Sequence, residues 1–559
     1  GTGNLQDIAV AADAAAVSFT YNAKGRMTAF TDATGKTTSY EYAGSPFPTR
    51  VTYADGTFRL FEYDALGRQT RVVDEQGNER IFERDARGRL LVERDNRGNE
   101  TSRTWEENRV TSVTDALDRT TVRAYDAAGH LTGVTDPGGG VTSYTYDANG
   151  NLKTVTDPVG NTTTFVYNEL NRLVEVIDPR DQSTTYSYDP AGNRTEIVDR
   201  NGRRRTFTYD VHDRLVEENW YDGETVVNTI AYTYDNRGNV LTVTDDDSAC
   251  TFTYDVLDRM ISADNGGTPG IPRVVLTYSY DAHGNVVAIE DDAGNRVDSV
   301  YDSRNRHVQR TWQGNDIDPV RLDYAYDDAG NRTATSRFAN LAGTAPVGAT
   351  ATAYDDLQRR VGIEHSDGTG IPLVSYTYTY DAAGQLLSAD HHGNTTDYAY
   401  DDNGQLTAAV HANRADENFD YDDAGNRIGG GSLIGAGNRI LADDSYDYDY
   451  DAEGNIVSKT ESDTGAVTTY AYDHLNRIVE VEVRDGGGAV LTQANYDYDG
   501  LGRRIRKTVD GTATTTVYSE DNPWADVDGT GTVAARYLYC NRVDSILARQ
   551  RPPEGTMWH

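Results

Sequence analysis

The chain has 559 residues and a formal charge of −37, with 89 acidic against 52 basic side chains, a balance that opposes binding to nucleic acid or anionic membrane through a positive face. Apolar residues make up 37% of it, and tyrosine (38) far outnumbers phenylalanine (11), which argues against compact α/β domains and for rings held half-buried with their hydroxyls on polar partners. Cys250 and Cys540 stand in no Cys-x-x-Cys spacing, which excludes a disulfide framework and a cysteine zinc cluster; two unpaired thiols are expected, with one long-range disulfide as the alternative.

The N-terminus carries no charged-then-apolar leader, no run of about 18 apolar residues follows, and residues 1–20 read like the interior of a longer protein. From Tyr21-Asn22 onward one unit repeats: Tyr-Asp or Tyr-Asn, then Gly, Asn or Asp three residues on, then Arg or Asn. Tyr63-Asp64-Ala65-Leu66-Gly67-Arg68 is an early copy, and Tyr42, Arg84-Asp85 and Trp105-Glu106 are degenerate ones. The clearest stretch runs Tyr125, Tyr146, Tyr167, Tyr188 and Tyr209, in steps of 21 residues. It includes Tyr146-Asp147-Ala148-Asn149-Gly150-Asn151 and Tyr188-Asp189-Pro190-Ala191-Gly192-Asn193, and continues through Tyr280-Asp281-Ala282-His283-Gly284-Asn285 to Tyr498. About 22 units are counted.

Each unit predicts two short strands. In Thr184–Asp189 the rings of Tyr186 and Tyr188 share a face, because strand side chains alternate. Asp then bonds its own backbone and Gly accepts positive φ, which makes the turn. Of the acidic residues 65 are Asp and only 24 Glu, so the acidity largely records turns. Only five of the basic residues are Lys, which suits planar, multidentate hydrogen bonding by Arg beside those turns. Gly-Asn turns such as Gly192-Asn193 alternate with Asn-Arg or Asp-Arg turns such as Asn171-Arg172 and Asp213-Arg214, so the true period is expected to be two units. The loops 266–272 and 368–372 look like a duplicated insertion. Two strands per unit give about 44 strands and a ribbon on the order of 210 Å long. Open sheets rarely exceed about 10 strands without curling, and the strands are too polar to stack as blades. The expected fold is all-β: tandem repeats in a long antiparallel sheet coiled into a hollow spiral shell, continuous over residues 1–520, with 521–559 as a C-terminal segment.

These motifs resemble the YD repeat of Rhs proteins and animal teneurins over residues 17 to 520, and Ala535-Arg536-Tyr537-Leu538-Tyr539 through Trp558-His559 resembles the segment before the Rhs core end. The resemblance implies a hollow β-shell that, in bacterial toxin members, encloses a C-terminal toxin released by an aspartate-based autoproteolytic segment. Here no Asp-Pro-x-Gly-Leu motif or toxin sequence is present, and the core end is expected to lie beyond His559. The function expected is a structural shell, secreted or at the cell surface, for a C-terminal passenger such as a toxin. An extracellular module binding protein or carbohydrate, as part of a surface fibre, is the alternative. No enzyme activity, cofactor, nucleic acid or membrane insertion is expected.

The remaining candidate sites read as structural. His391-His392 lacks an acidic or Cys partner at ligand spacing and reads as a solvated loop. Gly429-Gly430-Gly431-Ser432 fails the nucleophile-elbow pattern and reads as a turn. Asp526-Val527-Asp528-Gly529 lacks the first and last ligands of a calcium loop and reads as a hairpin turn. The alternating Asp residues from Asp444 to Asp451 read as a solvated strand face, and the tyrosine ladders as structural rather than sugar-stacking.

Overall fold

The structure, a computed structural model, describes residues 7–8, 17–315, 317–539, 545–551 and 554–558. Among them are 53 strands and no helix. Consecutive strands pair antiparallel, in sheets of 38, two and 13 strands. The count passes the expected figure of about 44 for two reasons. Strands continue at Asn522–Asp528, Val533–Tyr539, Ile546–Arg551 and Gly555–Trp558. The stretch near residue 420 is also broken into short pieces such as Asp420–Tyr421 and Leu433–Gly435.

A register slip recurs along the repeat. Along Ser183–Tyr188, Tyr186 faces Ile197 and Ser187 faces Glu196, but Tyr188 faces Arg194, leaving Thr195 as a β-bulge. The same slip precedes Tyr21, Tyr63, Tyr146, Tyr167, Tyr209 and Tyr301. A bulge increases local twist and re-aims the side chains beside it; here it swings Arg194 over the Tyr186 ring, 4.7 Å from its centroid.

The chain divides into two compact units. One holds residues 1–123, 135–138 and 278–418, the other 124–134, 139–277 and 419–559. Within each unit a later run of strands returns to an earlier one. Most strand side chains are half-buried, as the tyrosine-rich composition predicts, and full burial is local. In the second unit Trp220, Ile230 and Val243 pack with Tyr232, Val240 and Phe252. In the first, Trp312, Val320 and Leu322 are at most 1% exposed.

Candidate functional site

The repeat turn is the recurring chemical feature, and Asp147 shows how it is built. Its backbone N–H donates to the Asn151 carbonyl at 2.9 Å, and Gly150 N–H returns a bond to the Asp147 carbonyl at 3.1 Å. Its Oδ1 accepts from the N–H groups of Asn149 and Asn151, and its Oδ2 from Asn151 Nδ2, each at 2.9 Å. The Asn151 side chain and these amides hold the Asp147 carboxyl below its ordinary value. Asp189 with Gly192 and Asn193, and Asp281 with Gly284 and Asn285, repeat the pattern. In Asp64–Arg68 the donor to Oδ2 is Arg68 Nε at 2.6 Å. Gly67 has φ +80°, and a Cβ there would stand 2.8 Å from the Phe47 ring, so this glycine is required twice over.

The tyrosine before each Asp is a clamp. Tyr146 donates its hydroxyl to the Leu131 carbonyl, Tyr188 to Leu173 and Tyr63 to Pro48, at 2.9, 2.7 and 3.1 Å, each fifteen residues upstream, while Tyr234 and Tyr498 span nineteen and twenty. Tyr280 ends its strand at the same place in the repeat. The degenerate copies keep the bond with other donors: Trp105 Nε1 reaches the Leu90 carbonyl at 2.8 Å and Arg84 Nε the Gln69 carbonyl at 3.4 Å. Tyr188→Phe is therefore expected to cost about 1 kcal/mol, the net worth of one hydrogen bond, read as a lower urea midpoint. An unchanged midpoint would show the clamp to be idle.

The alternation of turns has a mechanism. The left-handed position is filled by Gly in one class and by Asn171, Asp213, Asp258 or Asn305 in the other. The Asn of a Gly-Asn turn donates to that left-handed side chain on the next turn: Asn151 to Asn171 at 2.8 Å, Asn193 to Asp213 at 2.8 Å, Asn239 to Asp258 at 2.9 Å. The Arg of the second class donates onward to the following turn's carbonyl, as Arg172 does to Asp189 at 2.7 Å and Arg214 to Asp235 at 3.0 Å. That guanidinium also lies over the next clamp ring, 4.6 Å from the Tyr234 centroid for Arg214, a cation–π contact. Two turns make one period of a chain of hydrogen bonds that runs onward from turn to turn.

Turns also meet across a seam, between residues 229 to 284 positions apart. In the first unit Arg304 reaches Glu75 at 3.2 Å, Gln358 reaches Asp74 at 2.8 Å and Arg119 reaches Gln385 at 2.5 Å. In the second, Asn161 reaches Asn438 at 2.8 Å, Arg180 the Ala452 carbonyl at 2.7 Å and Arg200 N–H the Glu453 carboxylate at 2.6 Å. His474 stacks on Trp220, centroids 5.3 Å apart. One turn is buried there: Asp499 is 2% exposed and pairs with Arg503 at 2.7 Å, and Gly500 N–H donates to Ser248 Oγ at 3.2 Å.

The other residues singled out in the sequence take structural positions. His391 stacks on Tyr376 at 4.6 Å, and His392 occupies a positive-φ turn position. Ser432 N–H bonds the Gly429 carbonyl in a glycine turn. Asp528 Oδ1 caps a turn through the N–H groups of Thr530 and Thr532, while Asp526 accepts from Thr516 and Tyr537. Asp447 and Asp449 are exposed between half-buried tyrosines. Among the described residues no group of three His, Cys, Asp or Glu is placed to hold a metal ion. Cys250 is a buried free thiol whose pKa burial pushes up to about 11, and Cys540 lies outside the described residues. The cavity beside Cys250 and Arg503 has only about 30 Å³ of free space, enough for water. The two long loops differ. Residues 367–371 form an ordinary Asp turn, with Thr369 and Ile371 N–H on Asp367 Oδ1, whereas 265–274 is a packed loop closed by Val274 N–H on Asn265 Oδ1 at 2.6 Å.

Sequence reasoning found the repeat residues but not the seam. At the buried turn a Cβ on Gly500 would stand 2.8 Å from Val243, but glycine also follows Asp367, Asp485 and Asp528 in turns of the same kind, so it does not mark burial in the sequence.

The family profile described as Teneurin YD-shell matches residues 4–107 and 347–525, and that described as RHS Repeat matches five overlapping copies between residues 105 and 219. No curated protein matches. Among solved structures, the chain is similar to TcdB2-TccC3-TEV, with TM-score 0.53 and 13% identity over 94% of this chain and 35% of that one. It is likewise similar to a mutant Tc holotoxin pore of Photorhabdus luminescens, with TM-score 0.53 and 12% identity over 94% and 34%. TcdB2-TccC3 without its hypervariable C-terminal region gives 0.51 and 13% over the same shares. The chain thus spans about a third of the length of the chains it matches.

Proposed function

The chain belongs to the Teneurin YD-shell family, and on that premise we propose that it is a wall: a structural shell of a secreted or cell-surface Rhs-type protein that encloses or presents a C-terminal passenger such as a toxin. The observation that carries this reading is the seam. Turn-to-turn bonds along both units join neighbouring runs of strands, so the repeat closes gaps in a surface rather than framing a pocket. The turn Asp, its Asn or Arg partner and the clamp tyrosine are spent on other parts of the repeat, which supports a wall. No helix among the described residues is long and apolar enough to cross a membrane.

The test is limited proteolysis of the parent polypeptide. The segment following the repeats is expected to survive as a protected fragment at protease levels that digest it in isolation, and to be cut once urea opens the repeats. Equal cleavage rates with and without urea would sink the proposal. Retention of the chain on immobilised glycans, with the passenger unprotected, would favour the binding-module alternative.

A further inference from the structure

One surface of this acidic chain runs against its overall charge. The strands Arg504–Val509, Thr512–Ser519, Asn522–Asp528, Val533–Tyr539 and Ile546–Arg551 border a concavity of about 530 Å³. Arg504, Lys507 and Arg551 line it, together with Thr512, Thr514 and Thr516. Register explains the gathering. Lys507 faces Thr514, and Thr516 faces Asp526, so alternate residues of several strands present one face. Arg504, set at a bulge, lies over the Tyr496 ring of the preceding strand, 5.5 Å from its centroid.

These cations differ from the turn arginines. Arg68, Arg214, Arg359 and Arg477 each pair with the carboxylate of their own turn at 2.6 to 2.8 Å. Among the described residues neither Arg504, Lys507 nor Arg551 has a carboxylate within 4.0 Å. Of the two acids lining the concavity, Asp526 is already engaged by the Thr516 hydroxyl at 2.8 Å and the Tyr537 hydroxyl at 2.6 Å; the other is Glu554. Arg549, beside Tyr537 on the same face, keeps a buried Nε that has no acceptor.

We infer that this concavity binds a small multivalent oxyanion, through carboxylate or phosphate groups. Two guanidinium forks offer bidentate geometry, the ammonium adds a mobile point charge, and the Thr512 and Thr514 hydroxyls supply further donors. The rest of the chain repels anions, but at 0.1 M salt that repulsion is screened beyond about 10 Å, so the local cations decide. The site is independent of the wall function.

Calorimetric titration at 0.1 M salt, with pyrophosphate and citrate as separate probes, tests it and separates the phosphate from the carboxylate source. One probe or both should bind one to one. The Lys507→Ala/Arg551→Ala variant should weaken that binding at least tenfold, with an unchanged melting temperature because both side chains are exposed. Lys459→Ala removes a cation that lies on the Tyr446 ring elsewhere, and it should leave binding intact. Absence of binding by both probes, or equal binding by the double variant, would overturn the assignment. The single Lys507→Gln variant, expected to weaken binding severalfold, repeats the test with the smallest change to the fold.

Discussion

Asp499→Ala is expected to cost the unit that contains it about 3–5 kcal/mol, the usual result of removing one partner from a buried ion pair. Asp499 occupies the repeat position of Asp64, yet its side chain is 1% exposed where that of Asp64 is 24% exposed. It accepts the N–H groups of Leu501 and Arg503 at 3.1 and 2.8 Å and Arg503 Nε at 2.8 Å. Its loss strands the Arg503 guanidinium without a carboxylate, leaving it the Glu520 carbonyl at 2.7 Å, the Cys250 sulfur at 3.5 Å and the face of the Tyr518 ring at 5.1 Å. The matching Asp64→Ala change removes the same turn bonds in water and should cost far less, since water can replace them. Adding Arg503→Met to Asp499→Ala should recover part of the loss, since no unpaired charge then remains buried. Urea midpoints read the three variants. Hydrogen exchange of Ala249–Tyr254, the strand beginning just after Ser248, which Gly500 bonds, should quicken in the first alone. Equal costs at Asp64 and Asp499 would refute the distinction.

That contrast marks how far the sequence reaches. Tyr146, Asp147, Gly150 and Asn151 reveal the turn because its chemistry is local: Asp must reach amides two and four residues on, and Gly must accept positive φ. The preference for Arg over Lys is legible for the same reason, since a forked donor at Arg214 serves its own Asp210 and the next turn's carbonyl together. The bulge at Thr195 is invisible because threonine suits a strand whether or not it is paired, so Tyr186 and Tyr188 look like a plain alternating pair. The seam is hidden more deeply. Which turn meets Asp74 or Arg200 depends on how many strands pass before the ribbon returns, and that number follows from accumulated twist rather than from any one residue. Asp64 and Asp499 therefore read alike although one is wetted and the other buried. The anion-binding face is hidden likewise, because Lys507 and Arg551 meet only through the register of the strands between them.

Stability is expected to fall in two steps as pH is lowered, and the two steps belong to different residues. His307 is the first. Burial, with a smaller push from Arg310, lowers its pKa from an ordinary 6.5 to about 4, and burial acts on His365 in the same direction. The unfolded chain then takes a proton near pH 6.5 that the folded chain refuses until about pH 4, so stability declines across that window as pH falls. The turn aspartates are the second step. Arg214 holds the Asp210 carboxyl down at about 2, and side-chain and backbone donors hold Asp64, Asp147 and Asp235 below the ordinary range. Their contribution is complete above the unfolded value of about 3.9 and disappears as pH falls through the folded values. Two effects oppose these steps. Burial raises the Asp245 carboxyl, so its contribution is present at low pH and is lost as pH rises. Acid also relieves the repulsion within a chain of charge −37, a term that salt screens. In 0.5 M salt the urea midpoint should therefore drop from pH 6.5 to 4 and again below 4. His307→Gln should flatten the first step and leave the second, because glutamine keeps a polar side chain that does not titrate. A midpoint that rises steadily from pH 6.5 to pH 3 in that salt would show that charge repulsion, rather than the buried histidine and the capped turns, governs the acid response.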